Sequence, residues 1–331
     1  MKIGVVGAGR HANAAVYPAI VESGFELVSV CARTQESAQA TAKRWGATGY
    51  YVGLEDMLEA GGIDGIVVVV PAAEYRPILT RCIEAGLPVF CEKPAGKSSS
   101  ELRELADLAA AAQCEVVVGY MKRFAPAYRR AHDLIQSAEF GTPSLAHFRF
   151  VMGQFEGFFE GNRDDLHFYL TDNPVHMIDL ARFLIGELTE MSAVLNVVPG
   201  FGVGVTLVAK AGSGAACSFD FCTTASFAHR GEAIDVYGRG NAVQVDNVDT
   251  CTYRPVDGPA QTWRPNYTLP WGDSSSRVTM GFVPALEHFR DVVAGRAMNE
   301  SDMSSAARTL EITEQLYEQL LPSWSDLMGA Q

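Results

Sequence analysis

Gly7, Gly9 and Ala12 stand in the run Gly7-Ala8-Gly9-Arg10-His11-Ala12, a GxGxxA spacing that directly follows the apolar stretch Ile3 to Val6. Those residue types at that spacing suit one task, the cradling of a pyrophosphate. Gly7 permits a tight turn, Gly9 lets backbone approach the phosphates, and Ala12 keeps helix and strand close, with the partial positive charge of the helix N-terminus facing the anion. The motif by itself is a weak signal, and a mere glycine-rich turn is the alternative. Its place between a strand and a helix makes a dinucleotide the expected ligand. About 20 residues past the motif, an acidic side chain would bond the ribose of NAD. That place holds Cys31, Ala32, Arg33 and Thr34. No carboxylate is there to exclude a 2′-phosphate, while Arg33 and Thr34 could bind one. NADP is therefore expected over NAD; otherwise Arg33 is simply a solvated residue at the start of a helix.

The elements that must position this loop alternate along the first 120 residues, short apolar runs with helical patterns, as in a parallel sheet with crossover helices. Strands are expected at Ile3 to Val6, Glu26 to Ala32, Ile63 to Val70, Pro88 to Cys91 and Glu115 to Gly119. Helices are expected near Ala12 to Ser23, Gln35 to Trp45, Glu55 to Ala60, Glu74 to Ala85 and Ser98 to Ala112. This order describes a doubly wound Rossmann domain over residues 1–124. From Leu145 onward the period changes to two, with Cys217, Phe219 and Phe221 alternating against Ser218, Asp220 and Cys222, as in half-buried strands. Segments 145–152, 191–198, 202–210, 214–223, 232–238 and 241–246 would form a large, mostly antiparallel open sheet. With helices near Pro126 to Gln136, Pro174 to Ile185, Pro284 to Val293 and Ser304 to Leu321, residues 125–331 read as an α+β domain for substrate and oligomerisation. The C-terminal helix is free to pack back on the first domain. The fold class is α/β.

Composition narrows the function. The chain has 331 residues, 48% of them apolar, and 26 Lys and Arg against 39 Asp and Glu, a net charge of −13 that repels polyanions. Nucleic acid is not an expected partner. Cys31, Cys82, Cys91, Cys114, Cys217, Cys222 and Cys251 contain no CxxC pair, so neither a zinc ribbon nor a redox dithiol is indicated. The strongest apolar run, Ile66 to Val70, is strand-sized, and no secretory signal is read at the start. A cytoplasmic protein without a membrane partner is expected.

At Cys82 to Pro94 (CIEAGLPVFCEKP) the sequence, together with the first loop, resembles the Gfo/Idh/MocA family, the glucose-fructose oxidoreductase and inositol dehydrogenase group. The similarity extends through Val118 to Pro126 (VGYMKRFAP) and Asp172 to Gly186 (DNPVHMIDLARFLIG) into Arg308 to Tyr317 (RTLEITEQLY). By resemblance Lys93 is the lysine between nicotinamide and substrate. A lysine beside a positively charged ring has its ammonium form disfavoured and can trade a proton near working pH. Asp172, His176 and Asp179 match the family's Asp, His and Asp. The resemblance makes His176 the general acid or base on the substrate hydroxyl or carbonyl, with Asp172 alongside. Asn173 as N-cap and Pro174 at the first position would put His176 in the first turn of a helix, where the helix end disfavours imidazolium and Asp172 favours it. A satisfied buried histidine is the bland alternative. A metal reading of His167, His176 and Asp179 has the ligand chemistry but is not preferred, and no metal is expected.

The cofactor set then comprises Gly7, Gly9, Arg10, His11, Ala12, Arg33, Thr34, Pro71, Glu92 and Lys93. Substrate contacts are sought among Lys122, Arg123, Arg163, Asp172 and His176, although Lys122 with Arg123, and Arg163 with Asp164, read equally well as surface ion pairs. Aromatics at Phe155 to Phe159 are too dense for a solvated loop and suit a pocket or an interface. Two departures stand out. Tyr75 takes the place of a His that family members often carry shortly after the strand-end Pro71, and Phe168-Tyr169-Leu170-Thr171 replaces a Gly-rich run. Both point to a pocket entrance more apolar or closed than in a sugar dehydrogenase. The expected activity is an NAD(P)-dependent oxidoreductase, NADP-preferring, moving hydride between nicotinamide and a secondary alcohol or ketone of a sugar, cyclitol or related polyol. A non-catalytic dinucleotide-binding sensor and an NAD-dependent glycosidase are the alternatives. The sheet's second face, with helices enough to cover only the first, implies a homodimer or homotetramer.

Overall fold

A computed structural model describes residues 1–153, 163–198, 201–225, 231–266 and 275–329. By contacts the chain forms two compact units, Met1–Phe124 with Ser276–Arg308, and Ala125–Ser275 with Thr309–Gln331.

The first unit is built on a six-stranded parallel sheet: β1 (Lys2–Val6), β2 (Glu26–Cys31), β3 (Gly49–Tyr51), β4 (Gly65–Val68), β5 (Val89–Cys91) and β6 (Val116–Val118). Their spatial order, β3-β2-β1-β4-β5-β6, reverses between β1 and β4. The strands GIVV, VFC and VVV are buried throughout, as expected where crossover helices cover both faces of a parallel sheet. The helices are α1 (Tyr17–Glu22), α2 (Gln35–Trp45), α3 (Leu54–Ala60), α4 (Tyr75–Glu84) and α5 (Ser99–Ala111). Local chemistry sets their ends. Thr34 Oγ1 accepts the Ser37 amide 3.2 Å away to open α2, and Gly46 closes it in the left-handed conformation at φ +79°. Ser98 likewise caps α5 through the amide of Glu101.

The second unit holds α6 (Pro126–Ile135), β7 (Leu145–Gly153), α7 (Arg163–Asp172), α8 (Pro174–Ile185), β8 (Leu188–Val198), β9 (Gly202–Ala211), β10 (Ala216–Ala225), β11 (Gly231–Gly238), β12 (Asn241–Asp246), β13 (Thr250–Arg254) and β14 (Gln261–Trp263). The eight strands form one sheet in the order β14-β13-β12-β11-β7-β10-β9-β8. Among the described residues, the pair β7 and β10 is parallel and the other neighbouring pairs run antiparallel. The expected alternation holds, with Cys217, Phe219 and Phe221 buried and Ser218, Asp220 and Cys222 on the opposite face. On the buried face Phe148 stacks on Phe219 at 4.8 Å, and α6 and α8 lie against it. The other face keeps polar pairs, Thr206 Oγ1 donating to Asp220 at 2.7 Å and Ser218 Oγ 2.6 Å from His147 Nδ1. Beside them Val194, paired with Thr206, and Val208, paired with Ser218, remain 68% and 49% exposed.

The remaining helices are α9 (Ser276–Thr279), α10 (Phe282–Val293) and α11 (Met303–Gly329). Val283, Leu286 and Phe289 of α10 enter the core of the first unit. The last helix runs past the expected stop at Leu321 and through Pro322, because Trp324, 1% exposed, is drawn into the core of the second unit. Strands β3, β13 and β14 and helices α7 and α9 were not expected from the sequence.

At Gly7, φ is +122° and a Cβ would lie 2.0 Å from the carbonyl oxygen of Val69; at Gly9 a Cβ would meet nothing within 4 Å. Gly7→Ala should therefore lower the unfolding free energy by about 3 kcal/mol or more through backbone strain and overlap, while Gly9→Ala should stay within about 0.5 kcal/mol of wild type. Urea unfolding followed by circular dichroism checks both. Equal stability of the two variants would show that the turn does not need Gly7.

Candidate functional site

The first cluster of expected site residues gathers at the carboxyl ends of β1, β2, β4 and β5. Gly7 leaves β1 with its amide on the carbonyl of Cys31, 2.9 Å away. The chain then passes Gly9, Arg10 and His11 into a π-helical turn, Ala12–Val16, that continues as α1. No side chain caps this first turn, so no capping side chain takes the amides that open it. A cavity of about 460 Å³ opens beside the loop, lined by Gly9, Arg10, Asn13, Thr41 and Arg44 among others. Open space over Gly9, an uncapped helix start and the reversal of strand order beside β1 fit a dinucleotide pyrophosphate.

At the end of β2, Ala32 is buried while Arg33 and Thr34 are exposed. Thr34 has a second task, since its Oγ1 already caps α2. Pro71 follows β4 and opens a short 3₁₀ turn, Ala72–Glu74. Glu92 and Lys93 follow β5. Glu92 is 5% exposed, and its carboxylate packs so close under Gly119 that a Cβ there would lie 3.2 Å from it. Glu92 Oε1 also lies 3.8 Å from His11 Nε2, which links the strand end to the phosphate loop. Lys93 is half-buried. The peptide from Lys93 to Pro94 is cis, and the next residue, Ala95, is fully buried at φ +64°.

Tyr75, where the family often has His, is buried at the start of α4 and hydrogen-bonds the backbone of Val70. Burial, with the charge of Glu92 nearby, raises its phenol well above the ordinary range, so it stays protonated. Lys122 and Arg123 lie in a 3₁₀ turn, Met121–Phe124, and both are buried rather than paired at the surface. Arg123 donates to the Glu300 carbonyl at 2.5 Å and to Ser305 Oγ at 2.9 Å. Its guanidinium thus braces the first unit.

The second cluster lies in the second unit. Asp172 ends α7, Asn173 and Pro174 open α8, and His176 sits in its first turn, 8% exposed. Asn173 stands at the N-cap position but makes no side-chain cap; its amide donates instead to Asp172 Oδ2 at 3.0 Å. Asp179 is 1% exposed and accepts from Thr309 Oγ1 at 2.9 Å. Thr309 in turn accepts from Arg182 Nη1 at 2.6 Å, and Arg182 is paired with Glu187 at 2.5 Å. This chain of polar groups pins α8 to α11, a structural use of Asp179 that spacing alone did not separate from a chemical one. Phe168 to Thr171, in place of a Gly-rich run, form the last turns of α7, with Tyr169 and Leu170 fully buried and Phe168 56% exposed. Among the described residues no cluster of three or more His, Cys, Asp or Glu could hold a metal, and no helix is long and apolar enough to cross a membrane. The aromatic stretch Phe155 to Phe159 and the side chains of Arg163 and Asp164 lie outside the described residues.

The comparisons with known proteins agree with this architecture. Residues 1–120 match the model of an oxidoreductase family with an NAD-binding Rossmann fold, and residues 128–244 match the GFO/IDH/MocA C-terminal domain. The chain is 32% identical over 201 residues to an inositol 2-dehydrogenase of Saccharopolyspora erythraea, covering 59% of this chain and 56% of that one. The matches span about half the length of the curated relatives. Among solved structures, a dehydrogenase from Chromobacterium violaceum superposes with a TM-score of 0.85 at 21% identity, covering 99% of this chain and 98% of that one. An oxidoreductase from Agrobacterium radiobacter, solved with NAD+, L-tartaric acid and magnesium, superposes at 0.81 with 18% identity over 96% of both chains. Those likenesses show a shared fold. With two domain models of one family matched in order along most of the sequence, the chain belongs to the Gfo/Idh/MocA family of oxidoreductases.

Proposed function

We propose that this protein is an NAD(P)-dependent dehydrogenase that transfers hydride between nicotinamide and a secondary alcohol or ketone of a sugar, cyclitol or related polyol. The observation that carries the reading is the position of Lys93: it leaves β5 directly after the buried Glu92, whose carboxylate reaches His11 of the phosphate loop. A proton-carrying side chain therefore stands at the strand ends where a dinucleotide would be held. The bound dinucleotide supplies the hydride donor or acceptor. The protein's residues supply the rest: the loop from Gly7 to Ala12 binds the pyrophosphate, His176 in its neutral form takes the single proton of the substrate hydroxyl as hydride leaves the carbon, and Lys93 polarises that same oxygen. Asp172, four residues before His176 at the end of α7, is assigned the supporting role. Lys122 and Arg163 are retained as substrate contacts. In the same reading the first unit holds the cofactor and the second the substrate and the assembly contacts, with the expected boundary at residues 124 and 125 corrected because Ser276–Arg308, expected in the second domain, packs into the first. The inositol dehydrogenase name of a relative supports a polyol substrate.

NADP is proposed as the preferred cofactor, since Ala32 offers no ribose-binding carboxylate and Arg33 is exposed at the end of β2. Arg33→Ala should narrow the preference by about 1.5 to 3 kcal/mol, the worth of a hydrogen bond to a charged group. Calorimetry at fixed salt that found NAD bound as tightly as NADP by the wild type would sink the preference.

Turnover is tested with a panel of polyols and keto sugars followed at the nicotinamide absorbance. Lys93→Ala should cut kcat by about 10²- to 10⁴-fold with cofactor affinity nearly intact. Wild-type alcohol oxidation should fall at acid pH as His176 takes up a proton, and His176→Gln should lower kcat and flatten that limb. A mutant of Lys93 keeping more than about a third of kcat would remove it from the chemistry.

We further propose that the face of the eight-stranded sheet on which Val194 and Val208 are exposed is closed by a second copy of the chain, giving a homodimer or homotetramer. Light scattering at micromolar concentration should return at least twice the 35.7 kDa chain mass. A monomer at that concentration would refute the contact.

A further inference from the structure

Three successive carbonyls of the phosphate loop, those of Gly7, Ala8 and Gly9, each accept from a side chain, and that of Gly9 also accepts the backbone amide of Asn13 at 3.1 Å. Tyr17 Oη donates to the Gly7 carbonyl at 2.9 Å. Asn13 Nδ2 donates to the Ala8 carbonyl at 2.9 Å and to the Gly9 carbonyl at 3.1 Å. The Asn13 amide orientation is itself fixed, because its Oδ1 accepts from Trp45 Nε1 at 2.8 Å; a flipped amide would set its oxygen against two carbonyls. Trp45 lies flat on Tyr17, with ring centroids 5.7 Å apart and planes 7° apart. Tyr17 is fully buried, and burial pushes its phenol far up, so it remains a donor. The π-helical turn Ala12–Val16 widens the helix start at the residues that carry Asn13 and lead to Tyr17, as such turns often do at functional sites.

We propose that Asn13, Tyr17 and Trp45 form a brace that presents the phosphate loop to the dinucleotide, with Trp45 a positioning residue for cofactor binding although it lies on a different helix. The GxGxxA spacing needs none of the three. The loop held in this way borders the cavity lined by Gly9, Arg10, Asn13 and Arg44, where a Cβ at Gly9 would meet nothing within 4 Å. Trp45 is the last residue of α2, whose N-cap Thr34 directly follows Arg33. The brace therefore ties the pyrophosphate loop to the helix that begins beside the residue proposed to read the 2′-phosphate, and loosening it weakens both contacts at once.

The inference rests on the dinucleotide reading, and the test separates the two. Trp45→Phe keeps an aromatic ring against Tyr17 and removes only the indole N–H; Tyr17→Phe removes only the hydroxyl; Asn13→Leu removes both donors at similar volume. Dissociation constants for NADPH and NADH come from the change in nicotinamide fluorescence, with thermal melting measured alongside. Trp45→Phe and Tyr17→Phe should each weaken NADPH binding about 5- to 10-fold, the loss of one hydrogen bond, and Asn13→Leu by at least about 30-fold. With a substrate in hand, the cofactor KM should rise by the same factors while kcat at saturating cofactor stays within about twofold, a split that a general loss of folded protein would not produce. Wild-type affinity in both phenylalanine variants would overturn the brace, as would a loss of affinity matched by a fall in kcat. Should one of these variants fail to fold, the other carries the test. A wild type that binds neither NADPH nor NADH would defeat the proposed function as well.

Discussion

The contact on which the first unit depends is the approach of the Gly7 Cα to the carbonyl of Val69. A side chain at position 7 would place its Cβ 2.0 Å from that oxygen, so β1 can end beside the end of β4 only if the turn carries no Cβ. That approach occurs where the strand order reverses, the place at which crossover helices depart in opposite directions and leave a crevice over the strand ends. Once the turn is made, the carbonyls of Gly7 and Ala8 need donors, which Tyr17 and Asn13 supply. One steric constraint thus sets both the course of the loop and the polar side chains that must accompany it.

In the second unit the governing constraint is the period of the strands. Alternation assigns every second side chain to the face covered by α6 and α8, and Phe148, Phe219 and Phe221 fill it. Polar groups drawn into this interior are matched in chains: Asp179 with Thr309 and Arg182, and Tyr128 with Glu232 at 2.5 Å. A buried carboxylate without such donors would cost several kcal/mol. The arrangement therefore fixes how α8 is seated against α11, and with it the height at which the first turn of α8 carries His176.

Elements with a strong period or a cap were legible from residues alone. Helix α2 runs over the expected span between Thr34 and Gly46, helix α8 between Asn173 and Gly186, and β12 over 241–246. Strands β3 and β14 were not, since three half-exposed residues such as GYY and QTW carry no period and become strands only by pairing at a sheet edge. Helix α7 was not legible because LHFYL has no clean apolar stripe. Among the candidate site residues, the tight turn at Gly7 and the place of His176 in the first turn of α8 were readable. The commitments of Arg123 to Glu300 and of Asp179 to Thr309 span more than a hundred residues of sequence, and no local pattern announces a partner at that distance. The same holds for Trp45, which reads as an ordinary helix end until its indole is found on Asn13.

Lys93 illustrates how backbone and chemistry meet at such a site. It leaves a strand of three buried residues and is followed by Pro94 and then by Ala95, a non-glycine residue at φ +64° with no exposure at all. Left-handed backbone at alanine costs about 1 to 3 kcal/mol and persists only where surrounding packing over-determines it. Here the packing is close on both sides. A Cβ at Gly96 would lie 2.5 Å from Leu102, and one at Gly119 would press on Glu92. Such confinement removes the freedom that a lysine in an open loop would have, so the reach of Lys93 is set by the backbone rather than by its four-carbon stem alone. The role proposed for Lys93, acting on the oxygen of the reacting alcohol, would benefit from that restriction, because misplacement by about 1 Å can cost two orders of magnitude in rate.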